Sequence, residues 1–183
     1  KDRHAMIGDP SDYKDGPTLF ATHSTHKLLA ALSQASFIHI RDGRDPIDHA
    51  RFNESFMMHA STSPFYPIIA SNEIAAAMMD GASGEALTTE SIGEAVGFRQ
   101  TVGRIKRQYA AAKEWFFSTW NATEVFDPAS KKKVAFEDAH EELLVSDPEC
   151  WVLHPGDTWH GFDSLEDGYC MLDPIKVTIV APG

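Results

Sequence analysis

Cysteine is scarce: only Cys150 and Cys170 occur in 183 residues, with no CxxC pair and no metal-type spacing. Cysteine-ligated metal is therefore not expected. No stretch resembles a signal peptide, and no apolar run is long enough to cross a membrane, so a soluble cytoplasmic protein is expected. Positive charge is also short, with 16 Lys and Arg against 27 Asp and Glu and a net charge of −11. A face that binds nucleic-acid phosphates has to be basic, which excludes nucleic acid as the expected partner. No internal repeat or low-complexity tract is present. The length suits one ordinary domain with a real core.

What the chain does have is a concentrated polar turn, Ala21-Thr22-His23-Ser24-Thr25-His26-Lys27, followed by the apolar run Leu28-Leu29-Ala30-Ala31-Leu32. A lysine at the junction of a polar turn and a buried element loses solvation, which favours the neutral, nucleophilic amine that a Schiff-base lysine needs. The Ser, Thr and His side chains before it, with the backbone N–H groups of the turn, offer donors to an anion such as a phosphate. Lysine plus phosphate cradle points to pyridoxal phosphate. The alternative is a capped, solvated helix end, because hydroxyl residues are common N-caps.

Along the chain, Gly8–Pro17 reads as a loop and Thr18–Thr22 as a strand. A short helix from the lysine turn to about Gln34 and a strand over Ser36–Ile40 follow. Ala50–Met58 carries apolar residues at helical spacing, and Pro67 suits the first position of the next helix. Gly81 and Gly84 should end that helix. Thr88, Thr89 and Ser91 are N-cap candidates for a long helix from about Glu90 to Lys113, with Ile92, Ala95, Val96, Val102, Ile105, Tyr109 and Ala112 on its inner face. Strands are expected at Trp115–Trp120, Cys150–Leu153 and Ile175–Val180. Between them, Asp127–Asp147, with Lys131-Lys132-Lys133 and many acids, reads as an exposed insertion.

The wording from Ser24 to Ser36, Ser-Thr-His-Lys-Leu-Leu-Ala-Ala-Leu-Ser-Gln-Ala-Ser, resembles the pyridoxal-phosphate lysine segment of the bacterial ornithine/lysine/arginine decarboxylases. Phe56-Met57-Met58-His59-Ala60-Ser61-Thr62-Ser63-Pro64, Trp159-His160-Gly161-Phe162 and Leu172-Asp173-Pro174-Ile175-Lys176 resemble the same family in the same order. The resemblance implies an α/β fold: residues 1–113 as the carboxyl-terminal part of a fold-type I pyridoxal-phosphate major domain, and 114–183 as the beginning of a small α+β domain. By the same likeness the chain is an internal piece of a longer one.

Several roles follow from the family. Lys27 is the catalytic and cofactor-binding lysine, and Ser24 and His26 are phosphate contacts, His26 having the alternative of an ordinary capping side chain. Ser61 falls where the family has a hydroxyl residue, usually threonine, that reaches the cofactor of the partner subunit, which implies a homodimer or a ring of dimers. Trp159 and His160 fall near the active-site mouth, where Asp157 or Asp173 would meet a cationic substrate end; the alternative is a buried aromatic turn capped by acids.

Asp2, Asp9, Asp12 and Asp15 stand in the wrong wording for the aspartate that the family places under the pyridine nitrogen. That residue and the ring-stacking residue are expected upstream, so the isolated chain is expected to be inactive. Metal binding is not expected, since the pairs His23/His26 and His154/His160 lack further ligands nearby. The expected reaction is decarboxylation of a basic amino acid. Arginine comes first, on the likeness of the Asp127–Asp147 and Cys150–Gly156 stretches to the arginine branch, and lysine or ornithine second. A homologue that kept the fold but lost catalysis, acting as a regulatory or assembly subunit, is the reading of a different class.

Overall fold

The structure is a computed structural model that describes residues 15–28, 30–112, 115–168 and 170–181. Most of the loop expected at Gly8–Pro17 lies outside those residues, as do Asp2, Asp9, Asp12, Leu29 and Lys113. The architecture is mixed α/β. It divides into two compact units, residues 1–83 and 84–183, so the division falls near the start of the long helix, whereas the sequence suggested one after its end.

In the first unit, β1 (Leu19–His23) and β2 (Phe37–Arg41) pair antiparallel, with Leu19 opposite Arg41 and His23 opposite Phe37. The link between them carries the lysine turn. Its helix, α1 (Thr25–Leu28), is a single turn, shorter than expected, and Gln34 sits at φ 75°, where a right-handed helix cannot continue. Helix α2 (His49–His59) starts at Asp48, whose carboxylate accepts from the N–H groups of Ala50 and Arg51, an N-cap that satisfies two orphan donors. Helix α3 (Tyr66–Met78) carries Pro67 in its first turn as expected. Its buried residues are Ser71, Asn72 and Ala75, whereas Ile69, Ile74 and Met78 are exposed.

Helix α4 (Gly81–Tyr109) is 29 residues long and begins well before the expected start. Gly81 takes φ 61° at the break after α3, a conformation glycine adopts without penalty, and Gly84 is buried inside the helix and does not end it. Thr88, Thr89 and Ser91 are therefore interior; the Ser91 hydroxyl donates to the Leu87 carbonyl of the preceding turn. The inward stripe of α4 is Ala95, Val96, Arg99, Gln100 and Val102, and Tyr109 is exposed. The apolar-only reading of that face missed its two polar members.

In the second unit, β3 (Ser118–Thr119) pairs with β6 (Ile179–Val180), both shorter than expected. Strands β4 (Glu124–Asp127) and β5 (Lys132–Ala135) form a hairpin. Its turn is set by Asp127, whose carboxylate accepts from Ala129 and Ser130 N–H, and by Lys131 at φ 55°. A 3₁₀ turn at Phe136–Asp138, helix α5 (Glu141–Ser146) and a second 3₁₀ turn at Pro148–Trp151 follow. Cys150–Leu153 is thus not a strand, apart from an isolated bridge from Val152 to Met171.

The stretch read as an exposed insertion supplies the core. Phe136, Ala139 and Leu144 pack with Val96, Val125, Trp151, Leu153 and Leu172. The lysines and acids sit outward on the hairpin and α5, so counting charge hid an apolar lining at every few residues. Burial, with Asp147 and Glu149 adding to it, raises the Cys150 thiol to about 11, which leaves it an inert packing group.

Candidate functional site

The lysine turn is built by the β1–β2 hairpin and held from below by α3. Thr25 is fully buried and its hydroxyl donates to the Asn72 side-chain carbonyl. The Asn72 amide in turn donates to the Ser36 carbonyl at 3.4 Å, and Ser71 Oγ accepts from Leu32 N at 3.1 Å. Lys27 is two residues beyond Thr25, about 200° around a helical turn. It therefore faces solvent. That corrects the expectation of an apolar-flanked amine: the inward position of this turn belongs to Thr25, which also removes the Thr25 hydroxyl from the set of phosphate donors. Among the described residues Lys27 makes no ion pair.

Ser24 is half-buried, and its carbonyl accepts from Lys27 N at 3.1 Å. His26 is half-buried with Nδ1 at 3.0 Å from the Ala35 carbonyl. A carbonyl only accepts, so Nδ1 carries the proton and Nε2 is the edge left for a ligand. Ser24, His26 and Lys27 thus share one turn with an exposed amine, a hydroxyl and a free imidazole edge. These are the residue types that hold a phosphorylated aldehyde: cation, donors, nucleophile. Ser61 stands on the exposed loop between α2 and α3, where its Oγ accepts from Ser63 N at 3.1 Å. Nearby, Phe56, Met57, Met58 and Tyr66 are exposed, Met58 by 82%, and Phe52 is half-buried between the rings of Phe20 and Phe56.

The remaining candidates lie in the second unit. His160 is buried; Nε2 donates to the His154 carbonyl at 2.9 Å and Nδ1 accepts from Phe162 N at 3.1 Å. Both ring nitrogens are used within the turn, so His160 braces it and has no atom left for a substrate. Trp159 is half-buried and donates from Nε1 to Asp157 at 3.2 Å. Both line a cleft of about 520 Å³ whose wall also holds Glu124, Asp147 and Glu149, with Lys133 and His154 opposing them. Asp173 is committed elsewhere, accepting from Ile175 N at 3.0 Å and pairing with Lys176 at 3.4 Å. His154 meets Glu149 and Asp167, each at 3.2 Å, and contributes only its carbonyl to His160. Among the described residues, no group of three or more His, Cys, Asp or Glu is arranged to hold a metal ion. None of their helices is long and apolar enough to cross a membrane.

The polar anchors were missed in the sequence. Arg99, 1% exposed, donates to the carbonyls of Pro174 at 2.5 Å and Lys176 at 2.7 Å and lies 4.9 Å over the Trp151 ring. Burial lowers its pKa to about 10, with Asp173 opposing that shift. Gln100 donates to the carbonyls of Phe136 and Ala139 at 3.2 and 2.8 Å. The signal that could have found these residues, and Ser71 and Asn72, is a polar side chain in phase with an apolar stripe.

Comparison with known proteins adds to this geometry. The family model described as Orn/Lys/Arg decarboxylase, major domain, matches residues 1–183. The chain belongs to that family. It is 56% identical over 182 residues to the biodegradative arginine decarboxylase of Escherichia coli K12, covering 100% of this chain and 24% of that protein. It is 45% identical over 171 residues to a lysine decarboxylase of Pseudomonas aeruginosa, covering 93% of this chain and 21% of that protein. The solved structure of the Escherichia coli constitutive lysine decarboxylase matches with a TM-score of 0.66 at 42% identity, over 91% of this chain and 20% of that one. The chain thus spans less than a quarter of the length of these relatives.

Proposed function

We propose that this chain is a segment of a longer, fold-type I, pyridoxal-phosphate-dependent decarboxylase of a basic amino acid, with arginine as the substrate and agmatine and carbon dioxide as products. The observation that carries the reading is the 56% identity to an arginine decarboxylase across the whole chain. The unbroken Ser24-Thr25-His26-Lys27 turn, with Lys27 exposed, supports the cofactor assignment.

When bound, pyridoxal 5'-phosphate supplies an electron sink for the pair left behind as the carboxylate departs. Lys27 is the residue that anchors the cofactor, and its Nζ, once free, holds and returns a proton at the reacting carbon. Ser24 and His26 take the phosphate. His26 donates from Nε2 only when its ring is doubly protonated, because Nδ1–H is committed to Ala35. Ser61 serves the neighbouring subunit's cofactor in a homodimer, or in a ring of dimers, and the exposed apolar residues of α2 with Tyr66 support a covered interface there. Asp157 and Trp159 line the acidic cleft and are the remaining candidates for a cationic substrate end. The compartment is the cytoplasm.

Borohydride reduction of the full-length protein with pyridoxal phosphate, followed by peptide mapping, is expected to place the label on Lys27. A label on another lysine overturns the assignment. Arginine is expected to give the highest kcat/KM of arginine, lysine and ornithine. A higher value for lysine moves the protein to the lysine branch.

A further inference from the structure

We infer that Asn72 on α3, acting through Thr25, is a positioning residue for Lys27; this rests on the reading of Lys27 as the cofactor lysine. Helix α1 is one turn of four residues, far below the length at which a helix holds its own geometry. Its orientation must come from ties to other elements. Thr25 is 0% exposed and Asn72 is 8% exposed. The two are joined by a side-chain hydrogen bond in which Thr25 donates. The Asn72 amide donates at its other end to the Ser36 carbonyl, 3.4 Å away.

Asn72 therefore spans the neck of the lysine loop. It grips the residue after Ser24 on one side and the residue before Phe37 on the other, just beyond the last strand pair, His23 opposite Phe37. Its neighbour Ser71 reaches the far part of the loop, accepting from Leu32 N while donating to Ile68 O. The Ser36 carbonyl requires the amide nitrogen on its side, which leaves Oδ1 facing Thr25, so the orientation of the amide is fixed by its two partners.

An asparagine and a serine stand here among the Ile and Ala residues of α3, and both side chains bond to the lysine loop. A buried amide left half-satisfied is costly, so the bridge holds as a pair or fails as a pair. With it in place, the turn that presents the Lys27 amine has one geometry. Without it, the ties to the lysine loop that remain among the described residues include the His26 contact to Ala35 and the Leu32 contact to Ser71.

The test uses the full-length protein stripped of cofactor and exposed to pyridoxal phosphate and borohydride. Labelling at Lys27 is measured against the other lysines of the same sample, alongside thermal melting. Thr25→Val and Asn72→Leu, each near-isosteric, are expected to slow Lys27 labelling on the order of tenfold relative to the reference lysines. Thr25→Ser, which keeps the hydroxyl, is expected to retain the wild-type rate. If Asn72→Leu does not fold, the Thr25→Val and Thr25→Ser pair decides. Wild-type labelling rates in Thr25→Val, with or without a lowered melting temperature, overturn the inference and leave the cofactor reading standing. A wild-type label that maps to another lysine overturns both.

Discussion

Arg99 presents a buried cation whose acceptors are main-chain carbonyls, and replacing it by methionine separates two opposed effects. The loss has two parts. The short bonds to Pro174 and Lys176 are charge-assisted, and carbonyls deprived of such a donor cost about 1.5–3 kcal/mol each. The cation–π contact with Trp151 adds about 0.5–2 kcal/mol. Against this, burial lowers the Arg99 pKa from its ordinary value to about 10. At about 1.4 kcal/mol per unit, keeping the group charged in the fold costs about 3 kcal/mol, which methionine recovers while keeping most of the apolar stem.

The net expectation for Arg99→Met is a loss of about 2 kcal/mol, read as a lowered midpoint in urea unfolding followed by tryptophan fluorescence. The pH dependence supplies a second check. Above pH 10 the folded arginine releases a proton that the unfolded chain holds to higher pH, so stability from this group rises with pH there. The gap between wild type and Arg99→Met should therefore widen from about pH 9 to about pH 11. Equal midpoints at neutral pH, or a gap that closes on raising the pH, would refute the reasoning.

Two glycines of α4 give an opposed pair. A Cβ at Gly97 meets nothing within 4 Å, so Gly97→Ala is expected to stabilise by about 0.5–1 kcal/mol through helix propensity. At Gly103 a Cβ falls 3.0 Å from Glu137 Cβ, so Gly103→Ala is expected to lose that gain or reverse it; thermal melts of the two variants compare them directly. Assembly should strengthen on acidification, because a chain with net charge −11 repels its copies less as carboxylates protonate. Sedimentation of the full-length protein between neutral and mildly acidic pH is expected to show at least a dimer that associates further; dissociation on acidification counts against the charge argument.

The elements legible in the sequence were those whose signal is local. Residue type marked β1, alternation marked β2, the helical spacing within Ala50–Met58 fit α2, and Pro67 fit the start of α3. What failed was set by tertiary context. Gly81 and Gly84 read as one stop, yet only the break before Gly81 is real, because Gly84 is buried where a helix can continue through it. The Asp127–Asp147 stretch read as solvated because its charges outnumber its apolar residues, although Phe136, Ala139 and Leu144 are the ones that matter for packing. At the site, the wording around Lys27 marked the turn, but the partner of its inward side chain, Thr25, is Asn72, 47 positions away in sequence.

The two units contrast in what fills them, and the contrast bears on the lysine turn. The second packs Val96, Phe136, Leu144, Trp151 and Leu172 into an apolar core, with Arg99 and Gln100 tying its edge to main-chain carbonyls. In the first, the buried residues beneath the turn are Thr25, Ala35, Ser71, Asn72 and Ala75, while Phe56, Met58, Ile69 and Ile74 are exposed. A layer of that kind contributes little through apolar area. Its strength is directional, since each hydrogen bond specifies a distance and an orientation that a methyl contact does not. That suits the proposed role of the turn in presenting the Lys27 amine, and it makes the turn more sensitive to a single isosteric change such as Thr25→Val than its small buried volume suggests.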